Sequence, residues 1–316
     1  MPVTPVNGSA NFPATPNAFL TAVETIAKQN VRAVESTNKI EDAFYEYEVD
    51  GSGKVIEEAI IAMAARQAFV PVVAGSQPDL SPRDPVLHIR YFNNFVANQW
   101  KVTKRPDEIR AVIAKGMTEE KLASEILATL TQGEGDYDYS QMRAIIEDST
   151  NVGIDASTDL FNGGVPQNAK GIMYAIRAMF NAIKATNTKG LAQGVSTAQG
   201  VPVEDIRIAI SEDVLALIDM VELASLFNLS KEEIYGKVVM LPYDSNYSGN
   251  RVLVYDRKAL GRATRLFEYG QFVDEINRFS NHALNTERAY FYNPIFKCYS
   301  LDVTTAVTAE KAQLIA

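Results

Sequence analysis

Between Pro71 and Pro85 the chain sets four prolines, Pro71, Pro78, Pro82 and Pro85, with Gly75 among them. Each proline removes a backbone donor and keeps its predecessor out of helical angles, so this stretch is neither a helix nor a central strand. It reads as a loop or extended excursion. A segment of this kind buries little against its own chain and gains order by docking on a partner. Met1–Ala18 has the same character, with Pro2, Pro5, Pro13 and Pro16 and no charged residue. A secretory signal needs a basic start and then an apolar block, and neither is present there.

The remainder has to supply the core. At 316 residues and 47% hydrophobic, the chain has room for one large domain or two ordinary ones. Its apolar stretches break well short of the roughly 18–20 residues that span a bilayer. The single cysteine, Cys298, can form neither an internal disulfide nor a four-thiolate zinc site, which favours a reducing compartment. With 30 lysines and arginines against 39 aspartates and glutamates, the net charge is −9. That balance argues against a surface that grips nucleic acid throughout, but not against a local basic patch. Only two histidines occur, His88 and His282, which shifts the prior away from histidine-based catalysis and metal binding.

Periodicity gives a mixed α+β order that is not a regular βαβ series. Phe19–Tyr47 reads as helix, with its apolar stripe interrupted at Ser36–Asn38. Asp50–Gly53 is a turn, and Lys54–Phe69 is open between helix and strand. Val86–Phe92 and Gln99–Arg105 are strand candidates, and Ile109–Ile113 extends the second. Thr118 caps a helix with Leu122, Ile126 and Leu130 on its inner face, which Gly133 and Gly135 are expected to stop. A shorter helix follows over Ser140–Glu147, then a loop over Val152–Gln167. Ala169–Thr186 is the clearest helix, with Ile172, Ile176, Phe180 and Ile183 in one stripe. Ile206–Ile210 alternates as a half-buried strand, and Ser211 opens a helix with Glu212 and Asp213 in its first turn. Ser230 and Glu233 fit a capping box. Lys237–Leu241 and Arg251–Tyr255 are strands joined by a turn near Ser248–Asn250, and Tyr290–Val303 is strand-like with a break at Pro294.

Motifs for chemistry fail on spacing. Gly51–Lys54 hints at a phosphate loop, but the required first glycine is Glu48 and the residue after the lysine is Val55. Glu48–Ala59 hints at a calcium loop, but its first ligand would be Glu48 and its bidentate twelfth is Ala59. Neither histidine has a partner at ligand spacing, and Cys298 lies among aromatic residues as a small hydrophobe. Glu57 and Glu58 would point to opposite faces of a strand, and Asp136 and Asp138 sit between tyrosines in what reads as a polar turn. No cofactor, metal or catalytic residue is expected. One non-catalytic pattern remains. Glu35–Glu58 carries eight acidic residues and two lysines, and Arg83–Arg110 carries six basic and three acidic ones. Complementary strips of this kind set register between subunits or within one. The candidates for contact are Glu41, Asp42, Glu57 and Glu58 on one strip, and Arg83, Arg90, Lys101, Lys104, Arg105 and Arg110 on the other.

The order of several segments resembles the major capsid proteins of tailed bacteriophages, the Hong Kong ninety-seven type of shell protein. The segments are Gly53–Glu58 followed by the proline-rich stretch and Tyr91–Phe92, then Trp100–Arg110 and the helix from Thr118 to Leu130. Glu204–Ile210 follows, with Ile218–Asp219, Leu223–Ala224 and Phe227–Asn228, and last Lys237–Val239 and the aromatic C-terminal region. The resemblance implies an N-terminal arm over 1–50 and an extended two-stranded loop over 51–113 that reaches over a neighbour. It implies a peripheral domain over 114–149 and 286–316, with a spine helix shorter than usual, and an axial domain over 150–285. It further implies many copies of the chain, in pentamers and hexamers of an icosahedral shell, enclosing double-stranded DNA without sequence-specific contacts. Portal, scaffolding or decoration proteins are possible partners, no membrane is involved, and the location is the virion after assembly in the host cytoplasm. Two other readings are a bacterial encapsulating compartment of the same fold and a soluble enzyme using carboxylates or lysine. In the unassembled subunit, limited proteolysis should cut between Pro71 and Pro85 before it touches the helix at 169–186. Resistance of that stretch in free monomer would contradict an excursion that needs neighbours.

Overall fold

A computed structural model describes residues 40, 43–49, 56–61, 87–104, 119–148, 150–192, 195, 198–218, 237–242, 249–274 and 279–315. In chain order they form β1 (Tyr45–Glu46), β2 (Ile56–Ile61), β3 (Leu87–Phe92), β4 (Val96–Lys104), α1 (Glu119–Glu147), β5 (Ile154–Asp155), α2 (Ala156–Asp159), α3 (Ala169–Lys184), β6 (Ile206–Ser211), α4 (Glu212–Leu217), β7 (Val238–Leu241), β8 (Arg251–Asp256), β9 (Leu260–Asp274), β10 (Phe279–Tyr292), β11 (Cys298–Asp302) and α5 (Thr304–Ile315). The chain divides into two compact units. Among the described residues, one lies within Asn94–Gln141 and Ala263–Ala289, the other within Lys39–Asn93, Met142–Arg262 and Tyr290–Ala316.

In the first unit β10 pairs antiparallel with β4, placing Leu284 opposite Trp100 and His282 opposite Val102. Ile126 and Leu130, one turn apart on α1, pack on Leu284 and are joined by Trp100, Val102, Phe267 and Tyr269. Strand residues alternate in direction, so the other face of the β4–β10 pair is polar. There Gln99 donates to Asn285 Oδ1 and Thr103 to Asn281 Oδ1, each at 2.7 Å. Glu134 and Asp138, also one turn apart on α1, both meet Arg288 of β10, Glu134 at 2.7 Å.

α1 corrects one expectation. It runs through Gly133 and Gly135 and absorbs the separate helix expected at Ser140–Glu147, giving 29 residues and, at 1.5 Å per residue, about 43 Å. The helix expected from Thr118 is therefore not short. Each interior glycine costs a helix about 1 kcal/mol, and the tertiary contacts outweigh it. A Cβ on Gly133 would lie 2.9 Å from Trp100 Cδ1, so the absent side chain makes room for the indole.

The second unit is built on a five-stranded sheet in the order β5-β11-β8-β6-β7. All six residues of β8 are buried, and it lies antiparallel to both β6 and β11. Ile172, Ile176, Phe180 and Ile183 of α3, Val214 of α4, and Ala306 and Val307 of α5 pack with Ile208, Ile210, Val252, Val254 and Leu301 in one core. Asn168 caps α3, its Oδ1 accepting from the Gly171 N–H at 2.8 Å. The other end of α3 is closed from a distance. Lys297, fully buried, donates to the carbonyls of Ala182 (3.1 Å), Ile183 (3.4 Å) and Ala185 (2.7 Å) and to Asn187 Oδ1 (2.7 Å). Burial draws its ammonium down to about 8, while the carbonyls left over at a helix end supply the acceptors it needs. Arg251 does the same for α1, donating to the Ile146 carbonyl at 2.9 Å and to that of Val152 at 2.6 Å.

Other expectations are revised by pairing. The helix expected over Phe19–Tyr47 gives way, within the described residues, to a strand at Tyr45–Glu46, held parallel to Gly261–Arg262. The segment left open at Lys54–Phe69 holds β2. The strand at Ile206–Ile210 is present, but Ala209 is as buried as its neighbours, so it is not half-exposed. β7 and β8 are both strands but not a hairpin, because β6 lies between them. The loop expected over Val152–Gln167 contains β5 and α2, the latter capped by Asp155. Ile109–Ile113 and the capping box at Ser230 and Glu233 lie outside the described residues. Two substitutions test the packing around α1. Gly135, with open space where a Cβ would go, should gain about 1 kcal/mol as Gly135→Ala. Gly133→Val should lose about 1–3 kcal/mol by pressing on Trp100. Thermal unfolding of the free subunit reads both, and shifts of the same sign would refute the account.

Candidate assembly surface

β2 and β3 form a two-stranded antiparallel sheet separate from the other two. Its register opposes Ile56 to Phe92, Glu57 to Tyr91, Glu58 to Arg90, Ala59 to Ile89, Ile60 to His88 and Ile61 to Leu87. Directly opposed residues share a face, and alternate residues share it along each strand. One face therefore carries Glu57, Ala59 and Ile61 with Tyr91, Ile89 and Leu87. The other carries Ile56, Glu58 and Ile60 with Phe92, Arg90 and His88.

The root of the hairpin is fixed by aromatic packing. Phe92 stacks on Phe291 with ring centroids 4.1 Å apart, and Phe291 meets Tyr47 at 5.2 Å. Tyr47 lies edge-on to Tyr45 at 4.9 Å and donates its hydroxyl to the Lys258 carbonyl at 2.8 Å. Ile56 is buried at this end. Gly261 completes the nest, since a Cβ there would come 2.5 Å from Phe291 Cε2 and 2.8 Å from Tyr47 Cε2. Burial raises the pKa of the Glu58 carboxyl, and the nearby Lys258 pulls the other way. At the far end Ile61 is 65% exposed and Leu87 50%, and nearer the root Tyr91 is 60% exposed.

Of the charged candidates, Glu58 and Arg90 are brought opposite each other within one hairpin, and Glu57 lies beside them on the alternate face. Lys101 is exposed on β4, opposite Ala283 of β10. Lys104 closes β4, opposite Ser280. Arg83, Arg105, Arg110, Glu41 and Asp42 lie outside the described residues. The residues that charge counting passed over are the apolar ones, Ile61, Leu87, Ile89 and Tyr91. Their period-two spacing on β3, at 87, 89 and 91, was the available signal.

The groups with reactive side chains are engaged elsewhere. Cys298 is buried at the start of β11, and burial pushes its thiol up to about 12. It is a thiol, not a thiolate, at neutral pH. His282 is fully buried and shares a hydrogen bond between its Nδ1 and the Tyr269 hydroxyl. Among the described residues, no three His, Cys, Asp or Glu side chains gather closely enough to hold a metal ion, and no helix is long and apolar enough to cross a membrane.

The sequence matches the family model of the Phi29-like phage major capsid proteins over residues 4–299. The chain belongs to that family. It is a shell protein, a virion component present in many copies, and its fold is of the Hong Kong ninety-seven type. Solved structures agree on the fold. The capsid protein of Staphylococcus phage Andhra is 10% identical, with 82% of each chain covered and a TM-score of 0.59. The mature capsid of bacteriophage PhiM1 gives 11% identity over 85% of this chain and 87% of that one, with a TM-score of 0.50. No curated protein matches the chain in sequence. Gly261→Val should push Phe291 off Phe92, lowering the stability of the free subunit by about 1–3 kcal/mol and speeding proteolysis within residues 56–92. A variant that is as stable and as protected as the parent would remove Gly261 from the hairpin's foundation.

Proposed function

We propose that this capsid subunit builds its shell by laying the β2–β3 hairpin on a neighbouring copy. The observation that carries the reading is the exposed apolar face of Ile61, Leu87, Ile89 and Tyr91 on a hairpin whose other end is buried. Fully burying one such side chain is worth about 1.5–3 kcal/mol. A few of these contacts, repeated around a closed symmetric assembly, give collective stability without one strong interface.

In this proposal the copies form pentamers and hexamers of an icosahedral shell around double-stranded DNA, without catalysis. The segment 51–113 is the extended loop and residues 1–50 the arm. α1 is the spine of the peripheral domain. The axial domain, over 150–285, is centred on the five-stranded sheet with α3 and α4, and the pairing of β11 with β8 supports adding residues 290–316, with α5, to it in place of the peripheral domain. The charged strips set register beside the apolar contact. Arg83, Arg90, Lys101, Lys104, Arg105 and Arg110 face acidic groups such as Glu41, Asp42, Glu57 and Glu58, and opposed charges of this kind steer pairing more than they add affinity. Portal, scaffolding or decoration proteins would use other surfaces.

Negative-stain microscopy of assembly reactions tests the hairpin directly. Ile61→Asp with Tyr91→Asp should cut particle yield at least tenfold while leaving the melting temperature of the free subunit within a few degrees, because both side chains are exposed. Arg105→Glu with Arg110→Glu should also lower the yield. Normal particles from the apolar pair would reject the hairpin contact, and normal particles from the charge reversals would reject the strips.

A further inference from the structure

α3 carries three basic residues and no acidic one, in a chain whose net charge is −9. Lys170, Arg177 and Lys184 are seven residues apart, which is close to two helical turns, so they fall in one line along the helix. All three are exposed, as are Tyr174 and Asn181, which lie beside them on the same side of the helix. Successive cations lie about 10.5 Å apart along the axis, and the row spans about 21 Å. No described carboxylate pairs with any of the three. Two acidic side chains of the same unit have other partners. Glu310 accepts from the Ala169 N–H at 3.0 Å, and Asp159 accepts from the Tyr299 hydroxyl at 2.5 Å. Tyr174 is 68% exposed, with its ring 6.4 Å from that of Phe161.

We propose that this face of α3 binds the phosphate backbone of duplex DNA without reading its sequence. A duplex offers one negative charge per roughly 1.7 Å of its axis, so a straight row of cations meets phosphate wherever it is laid. Tyrosine and asparagine side chains add neutral hydrogen bonds to phosphate and carry no base preference. The row is poor in apolar side chains and rich in lysine, the reverse of the buried core of a protein–protein interface. Three contacts per copy are weak, which lets DNA slide, and many copies in one shell multiply them. The last step rests on the capsid reading given above; binding by the single subunit does not.

The test uses the full chain and a short fluorescent duplex of mixed sequence, followed by anisotropy across a salt series. With three phosphates neutralised per copy, the affinity should fall roughly 40-fold between about 50 and 200 mM salt. Lys170→Gln, Arg177→Gln and Lys184→Gln together should abolish that dependence, and the corresponding glutamates should abolish binding. Both variants should keep the parental melting temperature and particle yield. Unchanged DNA affinity in the glutamate variant would overturn the proposal. Loss of particle yield would also overturn it, assigning the row to an acidic surface of a neighbouring copy instead. If the parent chain itself fails to assemble, the shell mechanism fails, while the anisotropy of the free subunit still decides this one.

Discussion

Strand β8 has every residue buried, and much of the second unit follows from that requirement. A strand with both faces covered must be flanked by strands to satisfy its backbone and covered above and below by apolar side chains. β6 and β11 supply the first, and α3, α4 and α5 supply one cover. On the other face the Tyr255 hydroxyl donates to the Ala43 carbonyl at 3.2 Å, so the chain just before β1 takes part in the second. The polar ends that this layering buries are then met by long side chains. Lys297 closes α3 and Arg251 closes α1, each from a strand or turn far away in sequence.

The sequence was most legible where one rule sufficed. α3 has a single apolar stripe, an asparagine cap and no competing signal, and its boundaries come out within two residues. The β3 strand, the helix start at Ser211 and the break at Pro294 were similarly local. Legibility failed where tertiary contacts override local preference. Gly133 and Gly135 look like a helix stop, but the indole of Trp100 occupies the space beside Gly133 and Arg288 binds the carboxylates on either side of Gly135. Tyr45–Glu46 is drawn into a strand by a partner more than two hundred residues later. β6 is inserted between β7 and β8, which no reading of neighbouring segments would place.

The proposed contact surface draws on two kinds of signal. Charge counting found two strips, and register brings Glu58 opposite Arg90, one acid and one base from them. It passed over the apolar side chains on the alternate face, because an exposed hydrophobic residue on a short strand looks like a core residue until burial is known. The basic row of α3 was hidden for another reason. Averaged over the chain, three positive charges vanish in a net of −9, and only their common azimuth on one helix brings them out.

The hydrogen bond from Tyr47 to Lys258 spans 211 residues, and it lies at the root of the hairpin. Contacts this distant in sequence carry a loop-closure cost and cannot form until both partners have been made. While the ribosome is still making the chain, residues 56–92 therefore have no seat, however early they emerge. An incomplete subunit cannot present a fixed hairpin to a neighbour. In the assembly proposed above, a chain cut short before Phe291 would lack the seat on which the hairpin is fixed.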